Sequence, residues 1–146
     1  MIEVNNSAKG YGDIKAAFLK STAKKFLSEQ KIPNGVDLSI ALVDPDEIKK
    51  LNKKYRGENK PTDVLSFGRI GRSLKKEADF SVPEVVICPE EVMKNSEKGK
   101  EPFKKELSRV LVHGLLHLLG FDHEKNKKGA EEMFAEQENF LSQLRF

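Results

Sequence analysis

The stretch that most constrains this chain is VLVHGLLHLLGF, Val110 to Phe121. As a helix it presents leucine or valine on nearly every side, so it has no broad polar face to offer to water. Other elements must therefore cover it. It is too short, and too interrupted by histidine, to cross a bilayer. With one cysteine in 146 residues, the cover cannot rest on internal disulfides and must come from an ordinary packed core. The pattern predicts a long helix from about Pro102 to Leu119. Gly120 ends it, because glycine readily takes the left-handed conformation common just after a helix.

The chain has three histidines, and all lie in HGLLHLLGFDH at His113, His117 and His123. His113 and His117 are four residues apart, which puts them on one helix face a turn apart. The turn at Gly120 lets Phe121 and Asp122 carry His123 back toward the first two. Three neutral imidazoles in this order form an open zinc site with one position left for water or substrate. Buried among leucines without a metal, each unpaired ring would cost roughly 1–3 kcal/mol. Nickel, copper and iron also accept nitrogen ligands, but three imidazoles suit zinc. Asp122 and Glu124 flank the last histidine, either as partners that orient a ring or as solvated loop residues.

The spacing H-x-x-x-H-x-x-G-x-x-H matches that of the metzincin proteases, in which a glutamate after the first histidine acts as general base. Here that position is Gly114. The metal donors are kept and the peptide-hydrolysis base is missing, which argues against a protease. Hydrolysis of another bond stays open, because zinc itself lowers the pKa of bound water to about 7.

Elsewhere the periodicities alternate between strand and helix. Ile2–Val4 is a short strand. Asp13 caps a helix that runs to about Gln30, and 32–35 is a turn. Val36, Leu38, Ile40 and Leu42 alternate as in a half-buried strand over Val36–Val43. Asp44-Pro45 opens a second helix carrying Ile48, Leu51 and Tyr55. Thr62–Phe67 is a strand, 68–82 an exposed loop, and Glu84–Cys88 a strand stopped by Pro89. A short helix over Pro89–Lys98 and a final helix over Lys127–Leu144 complete the order β-α-β-α-β-β-α-α-α. This predicts an α/β (α+β) fold, a small mixed four-stranded sheet covered by helices, in a single domain over residues 1–146.

The net charge is +3. Residues 49–76 carry ten Lys and Arg against only Glu58 and Asp63, a segment able to meet phosphates or simply to be solvated. Within it lies YRGENKPTDVLSF, Tyr55 to Phe67. Arg56 precedes a glycine at a predicted helix end, where it either caps helix carbonyls or holds a phosphate through its planar fork. The N-terminal MIEVNNSAKGYGD has no apolar signal core, and a cytoplasmic location is expected. Cys88 reads as a small buried apolar residue; as a fourth zinc ligand it would close the metal site.

HGLLHLLGFDH, YRGENKPTDVLSF and VVICPEEV together resemble the bacterial YbeY family of metal-dependent endoribonucleases, the rRNA maturation factors. The resemblance runs from the strand near Val36 through the last helix. In one departure, Pro83-Glu84 stands where the family often has Gly-Asp. The resemblance implies that His113, His117 and His123 bind one Zn2+ ion and that Arg56 is the family's functional arginine. It implies cleavage of single-stranded RNA, maturation of the 3′ end of 16S rRNA, ribosome quality control and the small ribosomal subunit as partner, with no DNA substrate and no membrane. In that reading zinc polarises the phosphate or activates water and Arg56 stabilises developing charge. Lys53, Lys54 and Lys60 track the RNA backbone. No general base is legible. The alternative is a non-catalytic, zinc-stabilised assembly factor that binds rRNA.

Overall fold

The computed structural model describes residues 1–70, 82–122 and 126–146. His123, Glu124 and most of the expected 68–82 loop therefore lie outside the described residues. The order is β1 (Ile2–Asn6), α1 (Ala16–Glu29), β2 (Leu38–Leu42), α2 (Pro45–Arg56), β3 (Val64–Phe67), β4 (Glu84–Ile87), α3 (Pro89–Gly99), α4 (Phe103–Leu118) and α5 (Lys127–Leu141). The strands form one mixed sheet in the order β1-β2-β4-β3. β2 is parallel to both β1 and β4, while β3 runs antiparallel on the far side of β4. The register places Ile40 beside Val4 and Val85, and Leu65 beside Val86.

The alternation along the strands divides the core in two, because successive side chains point to opposite faces. Leu38, Ile40, Leu42, Val85 and Ile87 join α1, α4 and α5 in the main cluster. Val43, Val86, Leu65 and Cys88 pack with Ile48 of α2 in a smaller one. α4 is the helix the sequence marked out. Leu107, Ser108, Val110, Leu111, Val112, Gly114, Leu115, Leu116 and Leu118 are all buried. Arg109, His113 and His117, spaced by four, form its half-buried polar stripe.

Gly114 shows how tightly α4 meets the sheet. A Cβ at this position would lie 2.8 Å from Val85 Cγ1 and 3.1 Å from Ser66 Oγ. The Ser66 hydroxyl donates to the Gly114 carbonyl at 2.9 Å. Glycine thus lets the helix backbone touch the β3–β4 pair. Downstream of β3, Ile70 N–H donates to the Leu118 carbonyl at 2.9 Å, and Ile70 itself is buried in the main core.

Several element ends differ from the sequence reading. α1 starts at Ala16 with Lys15 at its N-cap and no side-chain cap bond, so Asp13 does not cap it. Ile14 N–H instead bonds the Tyr11 carbonyl, making a separate turn before the helix. β2 begins only at Leu38, which pairs with Ile2 at the start of β1, and the Val36 carbonyl before it accepts from the N-terminal ammonium at 2.9 Å. The Pro83-Glu84 departure is accommodated in place. The Pro83 carbonyl accepts from Ser39 N–H, and Glu84 Oε2 accepts from Ser39 Oγ, both at 2.9 Å. Pro83 also packs on Gly68, where an added Cβ would sit 3.2 Å from Pro83 Cα.

Candidate active-site cleft

A polar cleft of about 750 Å³ opens between the outer strand β3, the C-terminal end of α2 and the C-terminal half of α4. Its lining includes Arg56, Asp63, Ser66, His113, His117 and Asp122. Residues distant in sequence thus converge on one space. Each arrives by a local rule. Pro45 sits in the first turn of α2, Asp46 and Glu47 follow it, and Lys53, Lys54 and Arg56 occupy the last turn, all complementing the helix dipole. Gly57, at φ 73°, then turns the chain away and leaves Arg56 at the cleft. Asn52 Nδ2 donates to the Lys60 carbonyl at 2.9 Å and ties down the loop that returns to β3.

His113 and His117 are stacked edge to face, with ring centroids 4.8 Å apart. His113 Nδ1 lies 2.9 Å from Oε1 of Gln137, a buried residue on α5. The Gln137 amide has one sensible orientation, because its Nε2 donates to Glu138 Oε2 at 3.0 Å. Its oxygen must then accept from His113, so His113 carries its proton on Nδ1 and, as a neutral imidazole, has Nε2 as its unprotonated nitrogen. Glu138 is held in turn by Arg109 Nε at 3.0 Å, and Arg109 Nη1 reaches Glu101 at 2.8 Å. Burial alone would raise the Glu138 carboxyl, but hydrogen bonds from Arg109 and Gln137 outweigh it and hold the group below the usual range. This chain joins α4 to α5 and ends on the imidazole.

These donors suit a borderline-soft divalent metal. Two imidazoles sit on adjacent turns, and one has its tautomer set by a buried amide, an arrangement typical of metal-ligating histidine. Among the described residues no group of three His, Cys, Asp or Glu converges to hold an ion, and the third histidine of the motif lies outside them. Cys88 takes no part. It is fully buried in the smaller core under α2, where burial pushes its thiol pKa up.

Asp63 is the carboxylate of the cleft nearest the start of β3. Burial raises its pKa, and the opposing causes, a protonated His113, backbone hydrogen bonds and the Thr62 hydroxyl, do not cancel that rise. Asn95 Nδ2 donates to its Oδ2 at 3.2 Å. Lys53, Lys54 and Lys60 are exposed and do not line the cleft. Lys60 pairs with Glu58 at 3.4 Å, while Lys54 lies over the ring of Tyr55 at the cleft rim.

The family model described as endoribonuclease YbeY matches residues 3–145. The chain belongs to the endoribonuclease YbeY family. Endoribonuclease YbeY of Persephonella marina is 39% identical over 140 residues, covering 96% of this chain and 90% of the relative. The Thermotoga neapolitana relative of the same name is 38% identical, covering 99% of this chain and 89% of its own length. The solution structure of TM1509 from Thermotoga maritima superposes with a TM-score of 0.64 at 32% identity, covering 97% of this chain and 87% of that one. The α/β fold with its mixed four-stranded sheet is therefore the fold of the YbeY family, as the resemblance implied. None of the helices among the described residues is long and apolar enough to cross a membrane.

Gln137, Ser66 and Asn95 were not legible as site residues. Gln137 looks like one more polar residue on an amphipathic helix, and only the α4–α5 packing brings it to His113. The spacing of Arg109 one turn before His113 was a usable signal, since a half-buried arginine on an apolar helix needs acidic partners.

Proposed function

We propose that residues 1–146 form one YbeY-type domain that acts as a zinc-dependent, single-strand-specific endoribonuclease. It matures the 3′ end of 16S rRNA and serves ribosome quality control in the cytoplasm, with the small ribosomal subunit as its partner. The observation that carries this reading is the convergence of Arg56 with His113 and His117 on one polar cleft. The family's name, endoribonuclease, supports the reaction class.

In this reading His113, His117 and His123 hold one Zn2+ ion, which when bound supplies a Lewis acid for the phosphate or for water. Arg56 offers a planar fork of donors to the phosphodiester and stabilises the charge that develops on it. Ser66 and the Gly114 backbone hold β3 against α4, so the two walls of the cleft keep their spacing. Gln137 fixes the ring of His113. Lys53, Lys54 and Lys60 provide a sequence-independent attraction for the RNA backbone outside the cleft.

The test is cleavage of a defined 16S rRNA 3′ precursor and of the same sequence annealed to its complement. The zinc-loaded protein should cut the single strand and spare the duplex, and chelation should stop cleavage while helical circular dichroism persists. Binding of the precursor with no cleavage under zinc-replete conditions would establish the assembly-factor alternative instead.

A further inference from the structure

Tyr55 is 57% exposed, although an aromatic ring of that size normally buries much of its surface. It lies in the last turn of α2, next to Arg56, on the lining of the cleft. Its ring is not loose. Phe67, at the end of β3, meets it edge to face with centroids 5.0 Å apart and planes at 63°. The Lys54 ammonium lies over the Tyr55 ring, 5.2 Å from its centroid, where an exposed cation covers the aromatic face. An aromatic ring, braced by a second ring and accompanied by a cation, therefore stands beside the residues proposed to act on phosphate.

We infer that Tyr55, braced by Phe67, is a stacking platform for one nucleobase of single-stranded RNA, which takes the place of the Lys54 ammonium over the ring and moves that exposed lysine onto the nucleotide's phosphate. This rests on the endoribonuclease reading and adds a binding subsite to it. A base within a duplex has both faces covered by its neighbours and offers none to Tyr55. A base in a flexible single strand can swing out and stack, as other single-strand binders exploit. Strand selection then comes from the ring, and the attraction of the lysines is common to any polyanion. Because every base has a π-face, the subsite favours purines by stacking strength without reading a sequence.

The chain has no tryptophan and two tyrosines, Tyr11 and Tyr55, so a Tyr11→Phe protein reports on Tyr55 alone by its fluorescence. The probes are an oligoadenylate and an abasic ribose-phosphate strand of equal length, with affinity measured by filter binding and cleavage followed on a gel. Oligoadenylate should quench Tyr55 emission and the abasic strand should not. Tyr55→Ala should weaken oligoadenylate binding about tenfold or more and leave the abasic strand unchanged, while Tyr55→Phe stays within about twofold of wild type. Wild-type affinity of Tyr55→Ala for oligoadenylate, or an equal loss on both strands, overturns the platform while leaving the nuclease reading intact. A wild-type protein that neither binds nor cuts RNA overturns both.

Discussion

His113 donates from Nδ1 to Oε1 of Gln137 across the α4–α5 contact at 2.9 Å, with the amide oriented by Glu138. The imidazole that opens the histidine motif is thus aimed by a helix from the far end of the chain. Gln137→Leu keeps the size of the side chain and removes the acceptor. Zinc affinity should fall about 10–100-fold, read by competition with a chelating dye. The 15N shifts of His113 in metal-free protein should lose their preference for the Nδ1–H tautomer. Unchanged shifts and affinity would show that the hydrogen bond does not set the ring.

In the proposed zinc site Arg56 is not a donor, so Arg56→Ala should bind zinc as the wild type does and keep its fold. Loss of a contact that strengthens in the transition state is worth about 2.7–4 kcal/mol, or roughly 10²–10³ in rate. Arg56→Lys should recover little, since an ammonium cannot reproduce the fork. RNA affinity should fall much less than single-turnover cleavage. Cleavage at the wild-type rate would return Arg56 to the role of a helix cap.

Gly114→Ala sets two effects against each other. Alanine in a helix interior gains about 1 kcal/mol over glycine. The new Cβ would lie 2.8 Å from a methyl of Val85, a fully buried branched side chain with nowhere to go. Overpacking of this kind costs about 1–3 kcal/mol. The clash should win, and urea denaturation should show a net loss of stability. A more stable Gly114→Ala protein would mean that the helix can lift from the sheet.

Arg109 joins Glu101, Glu106 and Glu138. Arg109→Met should cost about 2 kcal/mol near neutral pH, since charged hydrogen bonds in a half-buried setting are lost. Hydrogen bonds from Lys105 and Arg109 also hold Glu101 below its usual range, and Glu138 is likewise depressed. A depressed carboxylate contributes stability that is present above its unfolded pKa and lost as pH falls through the folded value. Wild-type stability should therefore drop below about pH 4.5, and the Arg109→Met protein should show a shallower drop in that window. Parallel acid profiles would separate Arg109 from this role.

Ser108 is fully buried on α4, and its hydroxyl has no hydrogen-bond partner among the described residues. A buried unsatisfied hydroxyl costs about 1–3 kcal/mol. Ser108→Ala should therefore raise stability by about 1 kcal/mol or more and Tm by about 3 °C. A lower Tm would show that the hydroxyl has a partner in solution.

Local rules were enough to place much of this molecule. The alternation Leu38, Ile40, Leu42, the leucine-rich register of α4 and the stop at Gly120 are each decided within a few residues, by the pleat of a strand and the pitch of a helix. The pairing of His113 with His117 follows from the same pitch. Other features needed the packed molecule. Asp13 has the right side chain for a cap, yet a turn at Tyr11 moved the start of α1 past it. Gly114 reads in sequence as an absent base, and in the structure as the point where a helix backbone touches a sheet. Gln137 carries no local mark of its link to His113, and Tyr55 none of its contact with Phe67. Periodicity reports which face of an element is apolar. Which face of another element it meets depends on how all of them share one core, and that is settled only when the whole chain is packed.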